Sequence, residues 1–485
     1  MKCRITSQED TELTTGPQTS SLDGSPLADP GPVGQSFVAF GAPRIARDAA
    51  PDGMVLHAGA FGELPLFVAT ESRVGASPRV SRSIADLVRG GAALDPLGLA
   101  TVLCLGFPLG SRTVFRGVER AAPGACIRVS DASVVRHGSM PGWTQPPASP
   151  EALFELTIEA VRWSMDRLKG LGSPIVPLSG GRDSRLIYLA LRSLGVRPRS
   201  LLTFGRLSDS PDAQVARKLA TRLRDPIEFI RAVPFDGATE RWRQVRQNFE
   251  SLEHSWFLSV ALRARALGGP VTDGIGAGVL STGSLMHPES LGLWMRGQRD
   301  ELAEWTFAHA GGTTPEFRAM VRSVGVPIAS DDEVREALVR EFRALEVFPN
   351  PLGTFSLLHW TRRGISASAF GLLPSERVVA PLYDPQLVAS LLAMETEQAM
   401  REDWREVVLR RLDQTGIGFA ESVGTRQRRR MGNLRGSWAW SRFESDCGRA
   451  WKPLFDSCRA AGGPRRSFAR SAIGLLQAAI AHGGR

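Results

Sequence analysis

Ile175-Val176-Pro177-Leu178-Ser179-Gly180-Gly181-Arg182-Asp183-Ser184 passes from an apolar run through a glycine turn into the opening of a helix. Ile175 to Leu178 has the continuous apolar character of a buried strand, and Ser184 to Leu194 has helical spacing. The alternation continues downstream. Ser200 to Phe204 reads as a strand, Asp212 to Leu223 as a helix, Pro226 to Ile230 as a strand and Leu252 to Leu267 as a helix leading into a strand at Pro270 to Thr272. Such alternation predicts an α/β fold with a parallel sheet and helices on both faces.

The turn itself carries the chemistry. Gly180 and Gly181 let the backbone approach a ligand closely, and their N–H groups with the following helix N-terminus attract phosphate oxygens. Ser179 and Ser184 add hydroxyl donors. Asp183 beside a polyphosphate calls for a magnesium ion between the two, since magnesium is held by one or two carboxylates plus phosphates. The lysine-bearing loop G-x-x-x-x-G-K-[ST] is absent, which argues against ordinary phosphoryl transfer. Ser-Gly-Gly-x-Asp-Ser after a strand is instead the loop of enzymes that split ATP between its α and β phosphates. No G-x-S-x-G elbow and no H-E-x-x-H spacing occurs, so neither a serine hydrolase nor a metalloprotease is indicated.

Upstream of Ile175, residues 1–35 are rich in Ser, Thr, Asp, Gly and Pro and predict a flexible leader. From 36 to 147, short apolar runs at Phe37 to Phe40, Met54 to His57, Leu66 to Ala69 and Ile127 to Val129 alternate with Gly and Pro turns and predict a small β-rich domain. A Pro-rich joint near Trp143 to Pro150 precedes a long amphipathic helix, Glu151 to Leu171, which opens a domain running from 150 to 435. Beyond Gly283 the pattern is helical, with helices predicted at Arg299 to Ala308, Asp332 to Leu345, Pro385 to Ala393 and Trp404 to Leu412. Residues 436–485 read as a helical tail with Trp438, Trp440 and Trp451, closing on the apolar run Ala472 to Ala481.

Residues 175 to 280 resemble the synthetase domain of the asparagine synthetase family, which includes β-lactam synthetases and lasso-peptide cyclases. Ser210-Pro211-Asp212-Ala213-Gln214-Val215-Ala216 is similar to the family's acidic helix start, and Ala380-Pro381-Leu382-Tyr383-Asp384 to its Pro-Phe-Leu-Asp segment, with Glu376 and Arg377 just upstream. Ala60 to Leu66 and Thr113 to Gly124 are similar to the second half of the family's glutaminase domain. The resemblance implies a HUP-like ATP-pyrophosphatase domain with a helical C-terminal part, behind a truncated Ntn-amidotransferase-like domain. It further implies ATP and magnesium as cofactors. Leu178, Ser179, Gly180, Gly181, Asp183, Ser184, Thr203 and Gly274 form the implied ATP-binding set, and Asp183 and Asp273 the metal ligands.

Two departures shape the expected activity. The family's glutaminase nucleophile is a cysteine exposed at the N-terminus by methionine removal, but here Cys3 lies behind Lys2 and about half the usual domain is missing. Val271-Thr272-Asp273-Gly274-Ile275-Gly276-Ala277-Gly278 occupies the place of a loop that ends in an Asp-Glu pair in the family, and that pair is gone. Asp273 is then the nearby carboxylate left to act, and Glu253 with His254 stands where relatives place residues near the acyl substrate. The expected catalytic set is Asp183, Asp273 and Glu253. The expected activity is adenylation of a carboxylate with release of pyrophosphate, then transfer to an amine, intramolecular as in lasso-peptide macrolactam or β-lactam closure. Ammonia-dependent asparagine formation is one alternative; a catalytically weakened nucleotide-binding scaffold in a biosynthetic complex is another.

With 42% hydrophobic and 22% charged residues the chain is globular in composition. Its net charge of +9 is spread along the sequence and carried by arginine, with four lysines and one local run at Arg428, Arg429 and Arg430. Spread charge of this kind points to no nucleic-acid partner. The five cysteines show no C-x-x-C pair, and neither a signal peptide nor an apolar span of ~18 residues is present. A cytoplasmic protein with no membrane partner is expected.

Overall fold

The computed structural model describes residues 54–70, 79–88, 91–129, 134–137, 147–205, 210–233, 236–283, 285–310, 312–373, 377–413, 416, 451–454, 456 and 464–483. The expected leader, the strand at Phe37 to Phe40, Cys3, Glu376, the arginine run at 428–430, Trp438 and Trp440 lie outside them.

Among the described residues the N-terminal part holds six short strands: β1 (Met54–His57), β2 (Phe67–Ala69), β3 (Arg79–Ser81), β4 (Val118–Arg120), β5 (Cys126–Val129) and β6 (Val134–His137). They form two three-stranded antiparallel sheets, ordered β1-β5-β6 and β3-β2-β4. A helix absent from the sequence reading, Pro96–Leu105, lies between β3 and β4, with Asp95 accepting from Gly98 N at its start and Gly106 ending it at φ 90°. Gly98 to Leu105 are all buried. A helix that is apolar on every side shows no amphipathic period.

The larger part is an α/β unit around a five-stranded, all-parallel sheet: β7 (Ile175–Pro177), β8 (Ser200–Phe204), β9 (Ile227–Ile230), β10 (Val271–Thr272) and β11 (Val378–Val379), ordered β11-β10-β7-β8-β9. The chain places β8 and β9 on one side of β7 and then returns to place β10 and β11 on the other. A switch in strand order of this kind leaves a crevice at the carboxyl ends of the two strands where it occurs, here β7 and β10. Helices Arg182–Ser193, Pro211–Leu223 and Phe257–Leu267 alternate with the strands. Ser210 caps the second of these by accepting from Ala213 N at 3.2 Å, ahead of a proline in the first turn.

The expected helix at Leu252 begins only at Phe257. Asn248, Phe249 and His254 hold positive φ angles of 55°, 57° and 56°, which removes Glu253 and His254 from any helical face and makes 248–254 a tightly folded turn. Positive φ is uncommon outside glycine and is held by surrounding structure. Further along, Pro351–Phe355 runs into a ten-residue π-helix, Ser356–Ile365, and then into helix Ser366–Leu372. Pro464–His482 is a single helix whose Ala472, Ile473, Leu475, Leu476, Ala478 and Ala479 are buried.

The core crosses between these parts. One buried cluster joins Phe67, Leu99 and Phe115 of the N-terminal part to Phe249, Phe317 and the helix Pro464–His482, while Phe61 and Leu64 belong to the cluster that surrounds the parallel sheet. Charge crosses as well. Glu250 is buried against Arg120 and Arg363, pairing with Arg363 Nη2 at 2.6 Å, and Arg363 also reaches the carbonyls of Gly110 and Arg112. Arg362 donates to the carbonyls of Gly62, at 2.9 Å, and Ala121. Burial pulls the Arg363 pKa down to about 10 against the favourable charge of Glu250. Among the described residues no helix is long and apolar enough to cross a membrane.

Candidate active site

Two segments follow the carboxyl ends of the neighbouring strands β7 and β10, 178–184 and 273–278. Leu178 continues the ladder, its N–H donating to Leu202 O at 2.8 Å. Ser179 N donates to Ser184 Oγ at 3.0 Å, the two serine hydroxyls lie 3.0 Å apart, and Gly181 N donates to Ser179 Oγ at 3.0 Å. These bonds curl the turn so that Gly181 becomes the N-cap of helix Arg182–Ser193 without a side-chain cap of its own. Uncapped first-turn N–H groups are the anion-attracting end of a helix. Gly180 packs on the start of the next helix: a Cβ there would fall on the Asp212 carboxylate and lie 2.9 Å from Asp212 Cα. Burial pushes the Asp212 carboxyl above its ordinary pKa, with Arg185 acting in the opposite direction.

The second loop closes over Asp183. A Cβ on Gly274 would lie 2.8 Å from the Asp183 carbonyl carbon, and one on Gly278 would fall on Asp183 Oδ1. The hydrogen side chain of Gly278 thus leaves the room that the Asp183 carboxylate occupies. Asp183 is paired with Arg405, Nη1 to Oδ1 at 2.9 Å. Arg405 also bonds Asp403 through Nε at 2.8 Å and Thr282 Oγ1 through Nη2 at 2.6 Å. Sequence inspection did not single out Arg405, because 222 positions separate it from its partner.

Asp273 is buried at the end of β10, its Oδ1 accepting from Ile275 N at 3.0 Å. Burial pushes its carboxyl up to about 7, and the neighbouring Asp183 charge adds to that rise. A carboxyl whose folded pKa lies above its unfolded value of about 3.9 binds more protons in the native state. Stability is therefore fullest below pH ~4 and falls as pH rises towards 7. Asn at this position keeps the acceptor oxygen and removes the titration. Asp273→Asn is expected to raise the melting temperature more at pH 8 than at pH 5; equal shifts at both pH values would show that the carboxyl titrates normally.

On β8 and β10, either side of β7, Thr203 Oγ1 and Thr272 Oγ1 are buried with no hydrogen-bond partner among the described residues. Buried hydroxyls are ordinarily bonded, so two orphans beside the crevice mark places where a ligand would supply the missing partners. Thr272 escaped the sequence reading, although a hydroxyl at the last strand position before Asp-Gly was a usable signal. Leu178, Ser179, Gly180, Gly181, Asp183, Ser184, Thr203, Asp273 and Gly274 thus lie at or just beyond the carboxyl ends of β7, β8 and β10, with Asp183 and Ser184 in the first turn of helix Arg182–Ser193. Glu253 is tied elsewhere: it accepts from Trp360 Nε1 of the π-helix at 3.1 Å and lies 3.7 Å from His254.

Glycine turn, uncapped helix end and free-standing hydroxyls together fit a polyphosphate. For a metal ion the fit is narrower. No group of three or more potential ligands gathers among the described residues, and Asp183, whose side chain is 38% exposed, is the accessible carboxylate. One carboxylate with phosphate oxygens is enough for magnesium. No protein-family profile and no curated protein matches this chain.

Proposed function

We propose that the chain is an ATP-dependent amide-forming ligase of the asparagine synthetase type, with a HUP-like synthetase domain and a reduced amidotransferase-like N-terminal part. What carries the reading is the position of the Ser179 to Ser184 turn at the switch point of the parallel sheet, with the 273–278 loop opposite. The turn would hold the β and γ phosphates through its N–H groups and the hydroxyls of Ser179 and Ser184, with Thr203 and Thr272 offering further donors. Asp183 would hold magnesium, which supplies positive charge against the phosphates.

A carboxylate needs activation because its charge is delocalised and its oxide is a poor leaving group. A carboxylate oxygen of the substrate attacks the α-phosphorus, the bond to the β-phosphate oxygen breaks, and pyrophosphate departs with the electron pair. An amine nitrogen then attacks the acyl carbon, the bond to AMP breaks, and the amine gives up a proton. The turn's part is positioning and charge stabilisation of the leaving pyrophosphate. No lysine is available in it to assist transfer of the γ-phosphoryl group.

A nucleotide-binding scaffold without turnover is the second reading, favoured by the bare Gly278 and by the pairing of Asp183 with Arg405. Exchange separates the two. With a panel of carboxylic acids and no amine, label from pyrophosphate is expected to enter ATP, and ATP consumed with amine present is expected to yield AMP. Formation of ADP would overturn the reaction type; nucleotide binding without exchange across the panel would favour the scaffold.

A further inference from the structure

We infer that Arg405 is a built-in cation of the nucleotide site, taking over part of the charge that magnesium supplies and lowering the metal dependence of polyphosphate binding. The inference rests on the function proposed above and names a positioning residue for it.

Two independent observations meet at Asp183. The first is the guanidinium itself. Arg405 is 5% exposed and fixed by Asp183 at 2.9 Å, by Thr282 Oγ1 at 2.6 Å and by Asp403 through Nε at 2.8 Å and Nη2 at 2.9 Å. A planar group held on three sides gives up little further freedom when a phosphate oxygen approaches its remaining Nη1 hydrogen. The second is Gly278, where a side chain would fall on Asp183 Oδ1. Position 278 therefore adds no carboxylate beside Asp183, and a permanent positive charge sits against it instead.

The local charges agree with this division of labour. Arg182 pairs with Asp403 at 2.5 Å and with Glu406 at 2.8 Å, so three carboxylates face two guanidinium groups. Removing Arg405 leaves Asp183 uncompensated beside the place where phosphate would lie. Burial opposes charge on Arg405, but Asp183 and Asp403 more than offset it and hold the group cationic.

Calorimetric titration with α,β-methylene ATP, in magnesium and in EDTA, tests the inference without turnover. The wild type is expected to lose less than about fivefold in affinity when EDTA replaces magnesium. Arg405→Gln is expected to bind at least about tenfold more weakly than the wild type in EDTA and to recover most of that with magnesium, because Asp183 is then free for the metal. Asp183→Asn combined with Arg405→Gln removes both charges together and so leaves no buried charge unpaired. It is expected to bind weakly in both buffers, and it carries the test if the single variant does not fold. A variant that matches the wild type in EDTA, or wild-type binding that vanishes in EDTA, overturns the inference. Absence of wild-type binding in both buffers overturns the proposed function and this inference with it.

Discussion

Glu250→Ala is expected to cost about 3–5 kcal/mol of stability, the range for leaving a buried charge without its partner. Glu250 is the carboxylate that faces Arg120 and Arg363, both fully buried. Alanine leaves two guanidinium groups in the core with carbonyl partners alone, those of Gly62, Gly110 and Arg112. Against a total stability of about 5–15 kcal/mol for a typical domain, that loss is a large share of the folding free energy. Urea titration of wild type and variant reads it directly as a fall in midpoint. A loss under about 1 kcal/mol would mean that the backbone carbonyls already satisfy both arginines.

Gly180→Ala is expected to reduce pyrophosphate exchange by at least about a hundredfold while leaving the melting temperature within a few degrees of wild type. The added methyl meets Asp212 at its backbone Cα, 2.9 Å away, as well as at its carboxylate. A flexible side chain yields; a helix start held by the Ser210 cap does not. The displacement therefore falls on the phosphate turn, where a shift of about 1 Å costs on the order of a hundredfold in rate. Near-normal exchange in this variant would place the phosphate elsewhere than the turn.

Much of the parallel-sheet unit is legible in the sequence, because its strands and amphipathic helices are punctuated by glycine, proline and capping residues. β8 and helix Trp404–Leu412 fall on the residues that their pattern predicts, and the turn after β7 stands where the apolar run ends. Other features leave no such trace. Pro96–Leu105 is apolar all round, and a π-helix at Ser356–Ile365 does not follow the α-helical period. Val378–Val379 is too short to stand out as a strand, yet it completes one edge of the sheet. The turn at 248–254 depends on tertiary contacts to hold three non-glycine residues at positive φ, among them Asn248 bonding Ile84 N at 2.9 Å. Within the site, the phosphate turn is written locally, whereas the pairing of Asp183 with Arg405 exists only after folding.

The helix Pro464–His482 has a bearing on how the chain reaches its final state. Its Ala472, Ile473 and Leu476 fill the same cluster as Phe67, Leu99 and Phe115, so the β-rich part is made early and sealed late. During synthesis those aromatic and aliphatic side chains must wait, partly uncovered, until this helix has been made. Long-range closure of this kind slows folding and leaves apolar surface open to association. The interval in which the nascent protein needs protection from its neighbours is therefore set by translation from Phe115 through Leu476.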